Sequence, residues 1–163
     1  MPPSTQYQLR LRPVEPGDEL LLLKIYASTR EDEMALVQWS DEQRAAFLEA
    51  QFKAQQSHYG QKYPAAKHDI IMRDGHAVGR LYVARLEDEI RIVDITLLPE
   101  HRGAGLGSEL LAQLMKEANF AGKPLRIYVE SFNRSLGLFE RLGFAGAAEH
   151  GIHLLMEKQP NAE

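Results

Sequence analysis

The sequence predicts a single domain of the α+β or mixed α/β class, and three observations indicate it. The dipeptide Asp74-Gly75 separates two apolar runs and is typical of the turn in an antiparallel hairpin. A glycine-rich segment, residues 102–107, joins an apolar strand to a run with helical periodicity, and another apolar strand follows. Such a passage makes one parallel crossover, which should be right-handed. The length of 163 residues suits one domain with a sizeable core.

The first part of the chain predicts one strand and two helices. Residues 7–12 alternate polar and apolar side chains, which favours a half-exposed strand. Residues 16–27 open with proline and aspartate at helix-start positions and continue with an apolar run, which indicates a helix. Ser40 and Gln43 match a capping box, so a second helix should begin there and end near residue 59.

Five more strands and two more helices complete the prediction. The strands cover residues 68–73, 76–85, 90–98, 125–130 and 150–157, and the helices run from the glycine-rich segment to about residue 120 and from about 135 to 142. Asn133 or Ser135 caps the shorter helix. The hairpins make the middle of the sheet antiparallel, and residues 158–163 are expected to fray.

The composition excludes several classes of function. The chain has no cysteine, which excludes disulfides, zinc–thiolate sites and a cysteine nucleophile. The net charge of −4, without a block of like charges, does not indicate a nucleic-acid partner. The first residues lack a basic region followed by an apolar stretch, and no apolar run approaches the roughly 20 residues that cross a bilayer. We therefore expect a cytoplasmic protein that does not associate with membranes.

The histidines do not predict a metal site. The chain has six of them, and their spacing matches no ligand pattern. His150 and His153 lie three residues apart on one predicted strand, so they are expected to face opposite sides of the sheet.

The glycine-rich segment predicts a phosphate site. Its three glycines let the backbone approach a ligand closely, and the helix that follows adds the positive end of its dipole. A tight turn without a ligand is the simpler alternative. A dinucleotide fingerprint does not fit, because Ser108 occupies the third glycine position, and a P-loop does not fit, because no Gly-Lys-Ser/Thr follows.

Two stretches resemble a known family. Residues 97–107 resemble the acyl-CoA pyrophosphate loop of the GCN5-related N-acetyltransferases (GNAT), which reads Arg/Gln-x-x-Gly-x-Gly/Ala, here Arg102, Gly105 and Gly107. Residues 133–144 resemble the family's later motif, with an Asn, then Leu-Tyr, then a basic residue and Leu-Gly-Phe. The resemblance implies a central mixed, mostly antiparallel sheet with helices on both faces and one parallel β-loop-α-β crossover.

The resemblance also implies acetyl-CoA as the acyl donor, without a metal. Backbone amides from Gly103 to Ser108 would bind the pyrophosphate, and the backbone of Leu97 and Leu98 would pair with the pantetheine arm. Asn133 would contact the pantetheine or shape its groove, with Phe139 packed beside it. The implied cofactor-binding residues are Leu97, Leu98, Arg102, Gly103, Ala104, Gly105, Leu106, Gly107, Ser108, Asn133 and Phe139. Arg102 has an alternative role as the ion-pair partner of an acidic neighbour.

Two residues depart from the family pattern. Phe139 stands where many relatives have a tyrosine proposed to protonate the leaving thiolate, so Tyr128 or a water would serve instead. Ala104 stands where many relatives carry a basic residue, which would weaken one phosphate contact and leave the backbone cradle in place.

The family resemblance implies the catalytic residues less directly than the cofactor-binding residues. By the resemblance, the Leu97 N–H would polarise the thioester carbonyl and stabilise the oxyanion. The general base that deprotonates the acceptor ammonium is either Glu130 or Asp94, or else water and backbone carbonyls serve. By simple alternation Asp94 and Leu97 point to opposite faces, unless a bulge intervenes.

The acceptor is expected to be a small-molecule or peptide amine. The acidic residues 31–33, read as a turn between the first two helices, either attract a cationic amine or form a solvated turn. Homodimers are common in the family. An acyl-CoA-binding sensor with weak or no catalysis is the alternative function.

Overall fold

A computed structural model gives the structure of the chain and describes residues 7–161. These residues form two compact units. The first comprises residues 7–81 with Ile95–Arg102, and the second comprises Tyr82–Asp94 with residues 103–161. The single domain inferred from the sequence stays a prediction, and the amino-terminal residues 1–6 lie outside the described residues.

Seven strands and five helices make up the described chain. The strands are β1 (Leu9–Pro13), β2 (Lys67–Arg73), β3 (His76–Arg85), β4 (Ile90–Leu97), β5 (Leu125–Glu130), β6 (Ala145–His150) and β7 (His153–Lys158). The helices are α1 (Glu19–Ser28), α2 (Glu31–Ala35), α3 (Asp41–Lys62), α4 (Leu106–Ala121) and α5 (Leu136–Arg141), and 3₁₀ turns occupy Pro16–Asp18 and Pro99–His101.

The strands form one mixed sheet in the order β1-β2-β3-β4-β5-β7-β6. The pairs β1/β2, β5/β7 and β6/β7 are antiparallel. The pair β4/β5 is parallel and joins Ile90–Ile92 to Leu125–Ile127. The predicted fold class is confirmed, with the parallel crossover running through α4.

The first unit packs α1 and α3 around a small apolar cluster. Leu22 and Tyr26 of α1 meet Phe52 of α3 and Ile70 of β2, all at most 6% exposed. The predicted capping box starts α3, since the Gln43 N–H donates to the Ser40 hydroxyl and the Ser40 N–H donates to the Gln43 side chain. These two bonds satisfy donors that the first helical turn leaves unpaired.

The second unit is organised around α4. This helix buries one stripe of side chains at helical spacing: Leu106, Leu110, Leu111, Leu114 and Ala118. Strand β5 buries every second residue, and α4 packs against it. Gly122, at φ 68°, ends the helix in the left-handed conformation, close to the end predicted at about residue 120.

One predicted element was wrong, and one strand was missed. The acidic residues 31–33 are the first turn of helix α2, where carboxylates are stabilised by the helix dipole. The strand predicted over residues 150–157 is β7, and a strand that was not predicted, β6, precedes it across a turn at Gly151 with φ 63°. Strand β6 was missed because its alanines and glycine have low strand propensity.

The hairpin also corrects the expectation for the two histidines. His150 and His153 are direct partners across β6 and β7, and they therefore share a face. Even so, no group of three or more metal-ligating side chains within residues 7–161 is arranged to hold a metal ion.

Strand pairing and a hydrogen bond hold part of the segment that was predicted to fray. Lys158 belongs to β7, and the Asn161 N–H donates to the Asn119 side chain at 3.0 Å. Residues 162–163 of the predicted tail lie outside the described residues. Among the helices of the described chain, none combines the length and apolarity needed to cross a bilayer.

Candidate functional site

The glycine-rich segment has the backbone conformation that requires glycine. Gly103 and Gly105 have φ values of 76° and 84°, in the left-handed region that other residues rarely adopt. Apart from the glycine and its two chain neighbours, no described atom lies within 4 Å of where a Cβ would stand at either position. The requirement for glycine thus comes from the backbone angle, and the space beside both residues is open. Ala104 lies exposed between them.

Helix α4 begins directly after this turn. Its cap residue, Gly105, has no side chain that could accept a hydrogen bond from the first turn of the helix. The amides of Leu106, Gly107 and Ser108 precede the first intrahelical donor, the Glu109 N–H, which donates to the Gly105 carbonyl at 3.0 Å. The positive end of a sixteen-residue helix dipole stands at the same place. An uncapped helix start beside open glycines fits a phosphate group.

Arg102 links the start of the glycine-rich segment to the end of β4. Its Nε donates to the Leu97 carbonyl at 3.1 Å. The sequence had suggested a cofactor contact or an acidic partner for this side chain. A hydrogen bond to a backbone carbonyl was not foreseen, because only the fold brings the two residues together.

The end of β4 has a defined orientation in the first unit. The Leu98 N–H donates to the Val78 carbonyl at 2.8 Å. Successive N–H groups of a strand point to opposite edges, so the Leu97 N–H points away from β3. This direction is compatible with the predicted oxyanion role of Leu97. For Leu98, both backbone groups are already bonded, since its N–H donates to Val78 and its carbonyl accepts from the His101 N–H at 2.9 Å. Its predicted pairing with the pantetheine arm could use only the second lone pair of that carbonyl.

Gly79 permits the close approach of β3 to β4. A Cβ at this position would stand 2.1 Å from the Thr96 carbonyl oxygen and 3.0 Å from the Leu97 Cα. Both distances are shorter than van der Waals contact, so any side chain would displace the end of β4. The sequence marked Gly79 only as a weak point of a strand; its role depends on a neighbouring strand far along the chain.

The two base candidates lie on opposite faces of the sheet in the second unit. Asp94 follows Ile92 by two residues, and Ile92 pairs with Ile127, so these side chains share the buried face. Glu130 follows Ile127 by three residues and therefore belongs to the other face. By this alternation we expect the two carboxylates to lie on opposite faces, so that at most one of them would serve the same substrate.

The residues of the later motif pack into the second unit. The Phe139 ring is 3% exposed and meets the Phe144 ring edge-on at 5.4 Å. The Asn133 side-chain oxygen accepts a hydrogen bond from the Ser135 N–H at 2.7 Å, which shapes the turn before α5. Both residues thus support the loop between β5 and α5. Their predicted contacts with the cofactor stay predictions.

Tyr128 lies in a charged environment on the same face as Glu130. The Arg91 guanidinium stands 4.9 Å from the centre of its ring, and the His150 ring meets it edge-on at 5.7 Å. Arg91 is also paired with Glu89 at 2.7 Å, and Arg126 pairs with the same carboxylate at 3.2 Å. This array of charges was not visible in the sequence, because strand pairing assembles it.

Comparison with known proteins decides the family. The profile of the Acetyltransferase (GNAT) family matches residues 23–144, well over half of the chain. The chain belongs to the GNAT family. The resemblance inferred from the two motifs is confirmed, and the match includes the glycine-rich segment and the residues up to Phe144.

Solved structures of proteins named as N-acetyltransferases share the fold. The PaiA N-acetyltransferase of Thermoplasma acidophilum, in complex with coenzyme A, superposes with a TM-score of 0.70 at 17% identity, over 93% of this chain and 99% of that chain. The ribosomal-protein-S18-alanine N-acetyltransferase of Escherichia coli superposes with a TM-score of 0.63 at 19% identity, over 96% of this chain and 97% of that one. At these identities the likeness shows the fold alone.

One curated protein is similar in sequence to part of the chain. It is a Bacillus subtilis (strain 168) protein, provisionally named as an alanine N-acetyltransferase of ribosomal protein bS18. The two are 30% identical over 83 residues, which is 49% of this chain and 54% of that protein. The chain thus spans about half the length of the curated relative it matches.

Proposed function

We propose that this GNAT protein transfers an acetyl group from acetyl-CoA to a primary amine by direct attack in a ternary complex. The observation that carries the proposal is the open turn at Gly103 and Gly105 leading into the uncapped start of α4. The backbone amides from Gly103 to Ser108 would hold the pyrophosphate of the donor. The Thermoplasma relative is named as a complex with coenzyme A, which supports this choice of ligand.

The chemistry needs few side chains. The amine nitrogen attacks the thioester carbonyl carbon, the C–N bond forms, and the C–S bond breaks. The Leu97 N–H would stabilise the oxyanion that develops on the carbonyl oxygen. The ammonium proton passes to a base, for which Glu130 and Asp94 are the candidates, and the thiolate of CoA leaves and takes a proton. With no cysteine in the chain, a cysteine acyl-enzyme cannot form.

Phe139 does not prevent the reaction. A thiol with a pKa near 8.5 leaves as thiolate at pH 7 at a cost of about 2 kcal/mol. Catalytic effects of enzymes amount to about 8 kcal/mol or more, so an acid that protonates the thiolate is helpful and not essential. Tyr128 lies on the same face of β5 as Glu130 and is a candidate for that role, as is water.

The acceptor is an amine on a small molecule or a peptide. The relatives from Bacillus subtilis and Escherichia coli are named as alanine N-acetyltransferases of a ribosomal protein, which favours a peptide amine. We also propose that the protein acts in the cytoplasm, without metal, membrane or nucleic acid, as one domain, and that a homodimer is one assembly to be tested.

Release of free CoA tests the proposal. The protein is incubated with acetyl-CoA and a panel of amines that includes peptides, free lysine, polyamines and small alkylamines. We expect CoA release above the rate of spontaneous hydrolysis with at least one amine, together with the acetylated product. Tight acetyl-CoA binding without turnover on any amine would instead support the alternative, a CoA-binding sensor.

A further inference from the structure

A cavity lies between the start of α1 and the middle of α3 in the first unit. Its volume is about 230 Å³, which is smaller than the roughly 300–1,000 Å³ of pockets that enclose drug-sized ligands. Its lining residues all lie within 15–22 of the α1 side and 52–56 of α3. The cavity thus uses none of the residues predicted for acetyl transfer, and its size suits a small metabolite.

Part of the lining is apolar. Leu22 of α1 and Phe52 of α3 reach the cavity from the buried cluster of the first unit. Pro16, in the 3₁₀ turn before α1, adds further apolar surface. An aliphatic group that contacts these side chains leaves water, and its burial stabilises the complex. This part of the cavity favours a ligand with an aliphatic side chain.

Two carboxylates line the cavity on the α1 side. Glu19 is the first residue of α1, and Glu15 stands four residues before it. The Glu15 side chain also accepts a hydrogen bond from the Asp18 N–H. An ionised carboxylate has two oxygens that accept several hydrogen bonds, so Glu15 and Glu19 can both accept from an ammonium group.

The Gln56 amide lines the cavity on the α3 side. The Arg80 guanidinium donates to the Gln56 Oε1 at 2.9 Å, and Arg80 is 1% exposed. A guanidinium has donors only, so the amide atom that faces it must be the oxygen. The two N–H donors of the Gln56 amide therefore point away from Arg80 and are available to a ligand.

Lys53 adds a positive charge to the same side. It stands three residues before Gln56, so the two side chains share a face of α3. The Lys53 ammonium meets Glu49 at 2.9 Å and has further N–H donors beyond that contact. The hydrogen bond to Glu49 first, and the charges of Glu49 and Glu19 with it, hold the pKa of Lys53 above its ordinary value. The ammonium is therefore charged at neutral pH.

The two sides of the cavity together select a ligand with both charges. Lys53 repels a simple cation, and Glu15 and Glu19 repel a simple anion. A zwitterion places its ammonium group at the glutamates and its carboxylate at Lys53 and the Gln56 amide. A free α-amino acid carries both groups, and an aliphatic side chain on it matches the apolar part of the lining.

We propose that this cavity binds a free α-amino acid with an aliphatic side chain. Glu15 and Glu19 hold its ammonium group, Lys53 and Gln56 hold its carboxylate, and the apolar lining contacts its side chain. The binding requires neither acetyl-CoA nor acetyl transfer. It gives the protein a second ligand besides those of the proposed function.

Calorimetric titration of the unchanged protein with L-leucine and four analogues tests the class of ligand. Glycine lacks the aliphatic side chain, isoamylamine lacks the carboxylate, isocaproate lacks the ammonium group, and ε-aminocaproate is an isomer with its charges at opposite ends. We expect one leucine to bind, and each analogue to bind at least about ten-fold more weakly, because it loses a charge-assisted contact or the buried side chain. Absence of leucine binding, or an analogue with the same Kd, would overturn the proposal.

Four surface variants locate the bound leucine. Glu19→Gln removes a carboxylate of the cavity, and Glu42→Gln in the exposed first turn of α3 is its control. Lys53→Met removes the ammonium of the cavity, and Lys24→Met on the exposed side of α1 is its control. We expect the two cavity variants to bind leucine about ten-fold more weakly and the two controls to match the unchanged protein. Equal leucine binding by all four variants would contradict the proposed site.

Leucine binding and acetyl transfer can succeed or fail separately. The titrations contain no acetyl-CoA, so they measure the cavity without the reaction. A protein that binds leucine in the cavity and acetylates no amine would support the amino-acid site and contradict the proposed function. A protein that acetylates amines and binds no leucine would contradict the amino-acid site alone.

Discussion

At the scale of single residues, Arg102 is the side chain whose contact bears most directly on the chemistry. Its hydrogen bond to the Leu97 carbonyl connects the first residue of the glycine-rich motif to the strand end that carries the predicted oxyanion donor. The Leu97 carbonyl at the end of β4 is thus bonded to Arg102, a residue that the family motif assigns to cofactor binding. We therefore expect Arg102 to act on Leu97 as a positioning residue.

Replacing Arg102 by methionine should slow acetyl transfer. Met retains the apolar stem and lacks the donor, and the loss of one hydrogen bond corresponds to about 1 kcal/mol, or about five-fold in kcat. Steady-state kinetics on the best amine of the panel measures it. Arg85→Met is the control, because Arg85 is paired with Glu117 on an exposed surface. An unchanged kcat in the Arg102 variant would show that the contact does not position Leu97.

Asp18 predicts an acid limit to the stability. Both carboxylate oxygens of Asp18 accept hydrogen bonds from Arg12 at 2.8 Å, and the Glu15 N–H adds another at 2.8 Å. The Arg12 contact first, and the Glu15 contact second, lower the pKa of Asp18 from its ordinary value of 3.8 to about 2. The stabilisation is therefore complete above pH 3.8 and is lost as the pH falls towards 2.

Denaturant unfolding between pH 2 and 6 measures this effect. The difference in unfolding free energy between the unchanged protein and Asp18→Asn should shrink as the pH falls from about 4 to 2. A difference that stays constant over this range would contradict the assignment of the acid-sensitive stability to Asp18.

At the scale of elements, the end of β4 is shaped by its neighbour β3. Gly79→Ala would place a methyl group 2.1 Å from the Thr96 carbonyl oxygen, so the strand end must move. We expect a lower unfolding free energy and a kcat reduced more than ten-fold, because displacement of the Leu97 N–H by a fraction of an ångström weakens its contact with the oxyanion. Thermal unfolding and steady-state kinetics together measure the change.

Gly60→Ala is the matched control for that variant. Gly60 lies near the end of helix α3, and no described atom beyond its chain neighbours and the backbone of its own helix stands within 4 Å of an added Cβ. Alanine favours the helix by up to about 1 kcal/mol, so this variant should unfold at a higher temperature with unchanged kcat. Gly79→Ala with the kcat of the control would refute the shaping role of β3.

At the scale of the whole molecule, the predicted single domain implies that the chain unfolds cooperatively. The structure groups residues 7–161 into two compact units, and the chain passes between them within both β3 and β4. A chain that exchanges units twice within continuous strands should unfold as one. We expect one calorimetric transition, with calorimetric and van't Hoff enthalpies that agree. Two resolved transitions would contradict the single domain.

Structural features that depend on a few neighbouring residues could be predicted from the sequence. The Asp74-Gly75 turn, the capping box of α3 and the stripe of α4 each depend on a few neighbouring residues, and all are present in the structure. The glycines of the motif, residues 102–107, likewise predict a turn, and Gly103 and Gly105 have the positive φ values that favour glycine.

Other features depend on contacts between distant segments. The fit of Gly79 against Thr96 and the bond from Arg102 to Leu97 form only when the sheet is assembled. Strand β6 has the weak propensity of alanine and glycine, and it is held by pairing with β7. The pairing of Glu130 with His153, and of His153 with His150, could not be predicted either, because it depends on the β6–β7 hairpin.

Binding of acetyl-CoA at the glycine-rich turn is the central claim, and calorimetric titration tests it most directly. The unchanged protein is compared with Gly105→Val, which cannot keep φ 84° without strain, and with Gly146→Val on β6, where no described atom lies within 4 Å of an added Cβ. Circular dichroism confirms that each variant is folded. We expect the unchanged protein and Gly146→Val to bind one acetyl-CoA with equal Kd, and folded Gly105→Val to bind more than about ten-fold more weakly. Equal affinity of all three proteins would contradict the account.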